Sequence, residues 1–215
     1  MQLKSLSLLV IILSLLTLSG CAQPKIIIKD DISIGSLGNK AAIIIEDIRP
    51  QDDKEFTTGS MLLFKDNYGI WTLGDKMFTP TTLELLKNYI NSETSKWKKQ
   101  PKSIKVKLKR LKFEANHQAT MLAATSTQLG PLGIAIAEGM HGKKFELKYD
   151  KTRPYILGFI DADVYMTFNN RKTKKKSLSV YKAENFASHM DVNGRIRAAT
   201  NTIKSLYSSF SKSLK

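Results

Sequence analysis

Two stretches of strict alternation limit the folds open to this chain. From Ile156 to Phe168, the residues Ile160, Ala162, Val164, Met166 and Phe168 fall on one side of an extended strand, opposite Asp161, Asp163, Tyr165 and Thr167. Successive strand side chains point to opposite faces, so a period of two predicts a long strand with one face buried and one wet. The polar run Asn169-Asn170-Arg171-Lys172-Thr173-Lys174-Lys175-Lys176 then predicts a turn. Leu178, Val180 and Tyr181 begin a return strand, giving a hairpin with a very basic tip. The second alternation sets Ile104, Val106 and Leu108 against Lys105, Lys107 and Lys109. Arg110 breaks it, and Leu111 and Phe113 resume in the opposite phase, the pattern that a β-bulge accommodates.

Two other segments repeat with a helical period. Thr79-Pro80 predicts a helix start, with a capping hydroxyl and Pro at the first helical position. Leu83, Leu86, Ile90 and Trp97 supply an apolar face, Lys87, Asn91 and Lys98 meet water, and Gln100-Pro101 stops the helix. The C-terminus carries a second stripe of Ile196, Ala199, Ile203, Leu206, Tyr207, Phe210 and Leu214. The continuous run Ala41-Ala42-Ile43-Ile44-Ile45 predicts a buried strand, and Lys25-Ile26-Ile27-Ile28 a candidate edge strand. Residues 51–78 lack a firm period; Met61 to Phe64 and Tyr68 to Trp71 read as short strands or a self-packed loop. The element order predicts an α+β fold, a mainly antiparallel sheet with two amphipathic helices packed on one face. No repeat or compositional shift divides residues 41–215, which are expected to form a single domain. Within it, Ala119 to Met140 is small, apolar and uncharged until Glu138. Gly130-Pro131 argues against one spanning helix there; the segment reads as part of the core, a partner surface or a membrane contact.

The chain opens with Lys4, an apolar stretch through Leu16, and the boundary Leu18-Ser19-Gly20-Cys21. These three parts make a secretory signal, too short and too abruptly ended for a comfortable membrane span. Leu18-Ser19-Gly20-Cys21 resembles the lipobox of bacterial lipoproteins. The resemblance implies cleavage between Gly20 and Cys21, after residues 1–20, and a covalent lipid on Cys21. Residues 21–40 would then comprise a lipidated tether and the candidate edge strand. Two or more acyl chains anchor stably, at about 0.8 kcal/mol per buried CH₂. Cys21 is the only cysteine, so no internal disulfide can form and stability rests on core packing.

Formal net charge is +15, which favours acidic partners. Lys105, Lys107, Lys109 and Arg110, with Arg171, Lys174, Lys175 and Lys176 of the hairpin tip, are candidate contacts for lipopolysaccharide or anionic lipid. They would form one basic surface if the two strands lie side by side. The competing reading is solvation and protection of an exposed sheet edge. Export disfavours nucleic acid. Trp71, Tyr155 and Tyr165 are candidate stacking surfaces or core. Asp161 and Asp163 are expected in solvent. His117, His141 and His189 are scattered, without the spacing of metal ligands. No phosphate loop, nucleophile elbow or dinucleotide fingerprint occurs, so the expectation is a non-enzyme with no catalytic residue, metal or cofactor beyond the lipid.

The stretch from Leu18 to Pro24 with Ile26-Ile27-Ile28, then Ile43-Ile44-Ile45-Glu46-Asp47-Ile48-Arg49-Pro50, resembles the start of YajG-like lipoproteins. There a lipobox and short tether precede a strand ending in Asp-x-Arg, here Asp47 and Arg49. The later order of helix, basic strand, hairpin and helix is similar, as it is in the broader set of small envelope lipoproteins that includes the lipopolysaccharide-assembly protein LptE. Residues 114–142 stand as an insertion relative to that pattern. The resemblance implies an outer-membrane lipoprotein facing the periplasm, a binding or assembly accessory meeting another envelope protein, without catalysis. Ala22 fits that location, because Asp there is the usual inner-membrane retention mark in enteric bacteria.

Overall fold

A computed structural model describes residues 25–28, 41–57, 69–117, 153–187 and 191–215. In chain order its elements are β1 (Ile26–Ile27), β2 (Ala42–Asp47), β3 (Ile70–Thr72), β4 (Phe78–Thr79), α1 (Thr82–Thr94), β5 (Ser103–Asn116), β6 (Tyr155–Thr167), β7 (Thr173–Asn185) and α2 (Val192–Lys212). The signal segment, Cys21, and residues 119 to 140 lie outside the described residues.

The alternating segments form the centre of an α+β fold. β5, β6 and β7 pair antiparallel in succession, and β2 lies parallel to the first half of β5. β3 pairs with the far end of β5, on the edge that β2 occupies lower down. The predicted bulge is present: pairing with β6 shifts between Leu108 and Arg110. It keeps Ile104, Val106 and Leu108, then Leu111, Phe113 and Ala115, on one face, each at most 2% exposed.

Both helices cover that face. α2 lays Ala199, Ile203, Leu206, Tyr207 and Phe210 into the core, all fully buried. It passes close over Gly158 of β6, where a Cβ would sit 2.9 Å from both Phe113 Cε1 and Thr202 Cγ2. α1 contributes Leu85, Leu86 and Ile90. β1 and β4 form a separate parallel pair on the same side, joined to the core where the rings of Phe78 and Phe113 meet at 5.4 Å.

Three expectations need correction. The Ala41 to Ile45 run is not a doubly buried strand: β2 is a sheet edge, and Ile44 is 58% exposed. The helix does not begin at Thr79-Pro80, because Thr79 is taken by β4 and the cap is Thr81. The Thr81 side chain accepts from the Glu84 N–H while the Glu84 carboxylate accepts from the Thr81 N–H, a reciprocal arrangement that satisfies two end donors. Trp97 accordingly lies beyond α1. The hairpin tip is also shorter than its polar run, since Thr173 to Lys176 belong to β7.

Arg49 ties the N-terminal elements together. Its side chain is fully buried; Nε and Nη2 donate to Asp47, Nη1 and Nη2 to Asp75, and Nη1 also to the Leu111 carbonyl. Asp75 also accepts from the Thr82 hydroxyl at 2.6 Å, and the Tyr207 hydroxyl donates to the Thr82 carbonyl at 2.9 Å. This chain of bonds links β2, the start of α1 and α2. Burial pulls the Arg49 pKa down, but bonds to Asp47 and Asp75 outweigh it and raise it above its ordinary value. Burial pushes the Asp47 carboxyl up, and the Arg49 guanidinium more than reverses that, leaving it below the ordinary value.

Candidate functional site

The cations expected to make one basic surface are divided by the sheet. β6 lies between β5 and β7, so the two lysine-bearing strands are not neighbours. On the face away from the helices, acids from β2, from β6 and from the helical turn Gln51–Asp53 pair with the β5 cations. Lys105 meets Glu46 at 2.9 Å, Lys109 meets Asp163 at 3.0 Å, and Arg110 meets buried Asp53 at 2.7 Å. Lys175 lies 3.9 Å from Asp163 and over the Tyr165 ring, at 5.6 Å from its centroid. Lys105 is raised by its hydrogen bond to Glu46, and Lys109 by its bond to Asp163. Asp163, expected in solvent, is only 8% exposed; bonds from Ser177 and then Lys109 lower its pKa. Charges already paired in this way present little net field to a ligand. Lys107 has no ion pair among the described residues.

A cluster of cations without ion pairs among the described residues lies elsewhere. Residues 97–102, between α1 and β5, face the turn joining β6 to β7 across a groove of about 1360 Å³. Lys98, Lys99 and Lys102 stand on one side, Lys172 and Lys174 on the other, with Trp97 and Phe168 also lining it. None of the described lining residues is acidic. The five lysines are exposed, without an ion pair among the described residues. Lys174 reaches this groove because it is paired with Met166, on the helix side of the sheet, whereas Lys175 faces the other way. Arg171 and Lys176 are outside the groove lining.

Backbone bonds fix the two rims. The Lys102 N–H donates to the Thr167 carbonyl at 2.7 Å, and the Ala42 N–H to the Lys102 carbonyl at 3.1 Å. The turn closes through bonds from Phe168 N–H to Lys172 O and from Arg171 N–H to Phe168 O, with Arg171 at φ 60°. The Lys172 N–H also donates to the Asn170 side chain. Five ammonium groups in one concavity repel one another, and an anion placed among them relieves that repulsion.

Of the cations expected to bind, only Lys174 and, within the Arg171 to Lys176 tip, Lys172 line the groove. Trp97, Lys98, Lys99 and Lys102 are not among those contacts; their segment, Trp97-Lys98-Lys99-Gln100-Pro101-Lys102, reads in sequence as a helix end. The aromatic candidates divide as well. Trp71 packs 4.6 Å from buried His117, and the Tyr155 hydroxyl accepts from Asn116 at 2.8 Å. His141 and His189 lie outside the described residues. Among the described residues, no group of His, Cys, Asp or Glu is placed to hold a metal ion, and no helix is long and apolar enough to cross a membrane.

No protein-family model matches the chain, and no curated protein is significantly similar to it.

Proposed function

We propose that this chain is an envelope lipoprotein, anchored through lipid on Cys21 and facing the periplasm from the outer membrane. It acts as a non-enzymatic accessory that binds an anionic envelope component at the basic end of its sheet. The N-terminal signal, the Leu18 to Cys21 boundary and Ala22 support the address. The observation that carries the ligand class is the groove, where five lysines from the loop after α1, the β6–β7 turn and the start of β7 converge with no described acid among its lining residues.

Fractionation tests the anchor: Cys21→Ala should move the protein from the membrane to the soluble fraction. Binding of the purified full chain to lipopolysaccharide, anionic vesicles or acidic polymers tests the ligand class. Binding should weaken steeply with salt, because each neutralised anion releases counterions. Absence of binding to every anionic probe would remove this reading.

A protein partner is the second reading. It is favoured by the sheet face away from the helices, where Ile44 is 58% and Tyr181 37% exposed. Repeated co-purification of one envelope protein, lost on Ile44→Asp and retained on Lys98→Glu, would select it.

A further inference from the structure

We infer that the basic groove holds a stretch of acidic glycan that is not part of the bilayer anchoring the protein. The inference rests on the proposed reading of the chain as an anion-binding lipoprotein, and it names the ligand more narrowly.

Size is the first argument. Pockets for small ligands span roughly 300–1,000 Å³, and this groove is about 1360 Å³. A lone phosphate or metabolite leaves most of it to water, whereas several units of a polymer fill it.

Chemistry is the second. The groove charges are all ammonium groups, compact point charges on flexible stems, without the planar fork by which arginine grips one phosphate or carboxylate bidentately. Such groups suit acids spaced along a chain. Trp97 and Phe168 line the same space, and an aromatic ring offers the flat apolar surface on which the C–H face of a sugar packs. An acidic polypeptide supplies the charge without that face.

Position is the third. β1 sits at the level of Phe113 through Phe78, whereas the groove lies at the Ser103 end of β5. Ten residues of strand, at about 3.3 Å each, separate the two levels by roughly 33 Å. Four residues, Ala22 to Lys25, link Cys21 to Ile26, and the five Cα–Cα steps extend at most about 18 Å. The tether is therefore shorter than the distance from β1 to the groove, and a domain standing upright on it presents the groove away from the anchoring bilayer.

The test uses the full lipidated protein in neutral phosphatidylcholine vesicles, titrated with labelled polygalacturonate, neutral dextran and polyglutamate. Vesicles containing phosphatidylglycerol are tested separately. Polygalacturonate should bind and dextran should not. Lys98→Glu with Lys172→Glu should weaken binding at least tenfold, and Lys76→Glu with Lys87→Glu should leave it within twofold. Trp97→Leu, with its melting curve recorded, should weaken polygalacturonate several-fold more than polyglutamate. Groove-dependent binding of phosphatidylglycerol vesicles without polygalacturonate overturns the glycan inference and leaves the anion-binding reading standing. Polyglutamate binding as tight as polygalacturonate, and indifferent to Trp97, assigns the groove to an acidic polypeptide and also overturns it. Failure of every polyanion and anionic vesicle overturns both.

Discussion

Arg49 buries a full charge, which is tolerable only because Asp47, Asp75 and the Leu111 carbonyl occupy its donors. Truncating one partner of such a cluster leaves the others buried without compensation, so Arg49→Ala should lower stability by about 3–5 kcal/mol in urea unfolding. Arg49→Lys should recover only part of this loss, since an ammonium cannot serve both carboxylates in the same plane. The cluster also sets an acid limit. The Asp47 carboxyl has a folded pKa below its ordinary value of 3.8. Its contribution is therefore present above that value and is lost as pH falls through the lower folded value. Thermal melts should show a plateau near neutrality and a fall below about pH 4, and Asp47→Asn should flatten part of that fall. Trp97 is a different case: its Nε1–H is buried with no acceptor among the described residues. An unmade bond of this kind costs about 1–3 kcal/mol, so Trp97→Phe should change stability little. Asp47-x-Arg49 was legible as a motif in the sequence. Its task was not, because Asp75 is 26 residues from Arg49 and nothing local indicates that they meet.

The elements most plainly written in the sequence are those with an uninterrupted period. β5, its bulge, β6 and the α2 stripe follow from alternation or helical spacing alone, because each has one dry face and one wet face. The boundaries misread are those where two local signals compete. Thr79-Pro80 resembles a helix start, yet Thr81 with Glu84 forms the stronger cap, and Thr79 is already bonded to β1. Thr81→Ala should cost about 1 kcal/mol, whereas Thr79→Ala should leave α1 intact; amide exchange along α1 distinguishes them. β2 was misjudged because β-branched runs occur at edges as well as in centres, and only pairing reveals which. Gly158 is legible as a glycine but not as a contact. Gly158→Ala brings a Cβ to 2.9 Å from Phe113 and Thr202, so α2 or β6 must shift. A loss of about 1–3 kcal/mol is expected in thermal or urea unfolding.

At the scale of the whole molecule, net charge was visible from the composition but its distribution was not. Glu46, Asp53 and Asp163 lie far from Lys105, Arg110 and Lys109 in the chain; strand register brings Glu46 and Asp163 to their lysines, and the helical turn after β2 brings Asp53 to Arg110. The groove is the complement of that pairing: it is where the chain places lysines and the described lining has no acid. Such a site depends on a loop after α1 meeting a hairpin turn more than sixty residues later, a meeting that no local pattern encodes. The parallel pairing of β1 with β4 carries a further consequence, for the order of assembly. Ile26 meets Phe78, and α2 at the opposite end of the chain touches β1. Contacts so distant in sequence close late, because loop entropy is lost before they reward it. The β6–β7 hairpin needs only a short local turn. A chain emerging from its N-terminus would therefore carry Ile26 and Ile28 unprotected until α2 arrives. Pulse proteolysis during refolding should find Ile26 to Ile28 protected last, so that α2 fastens β1 into the fold.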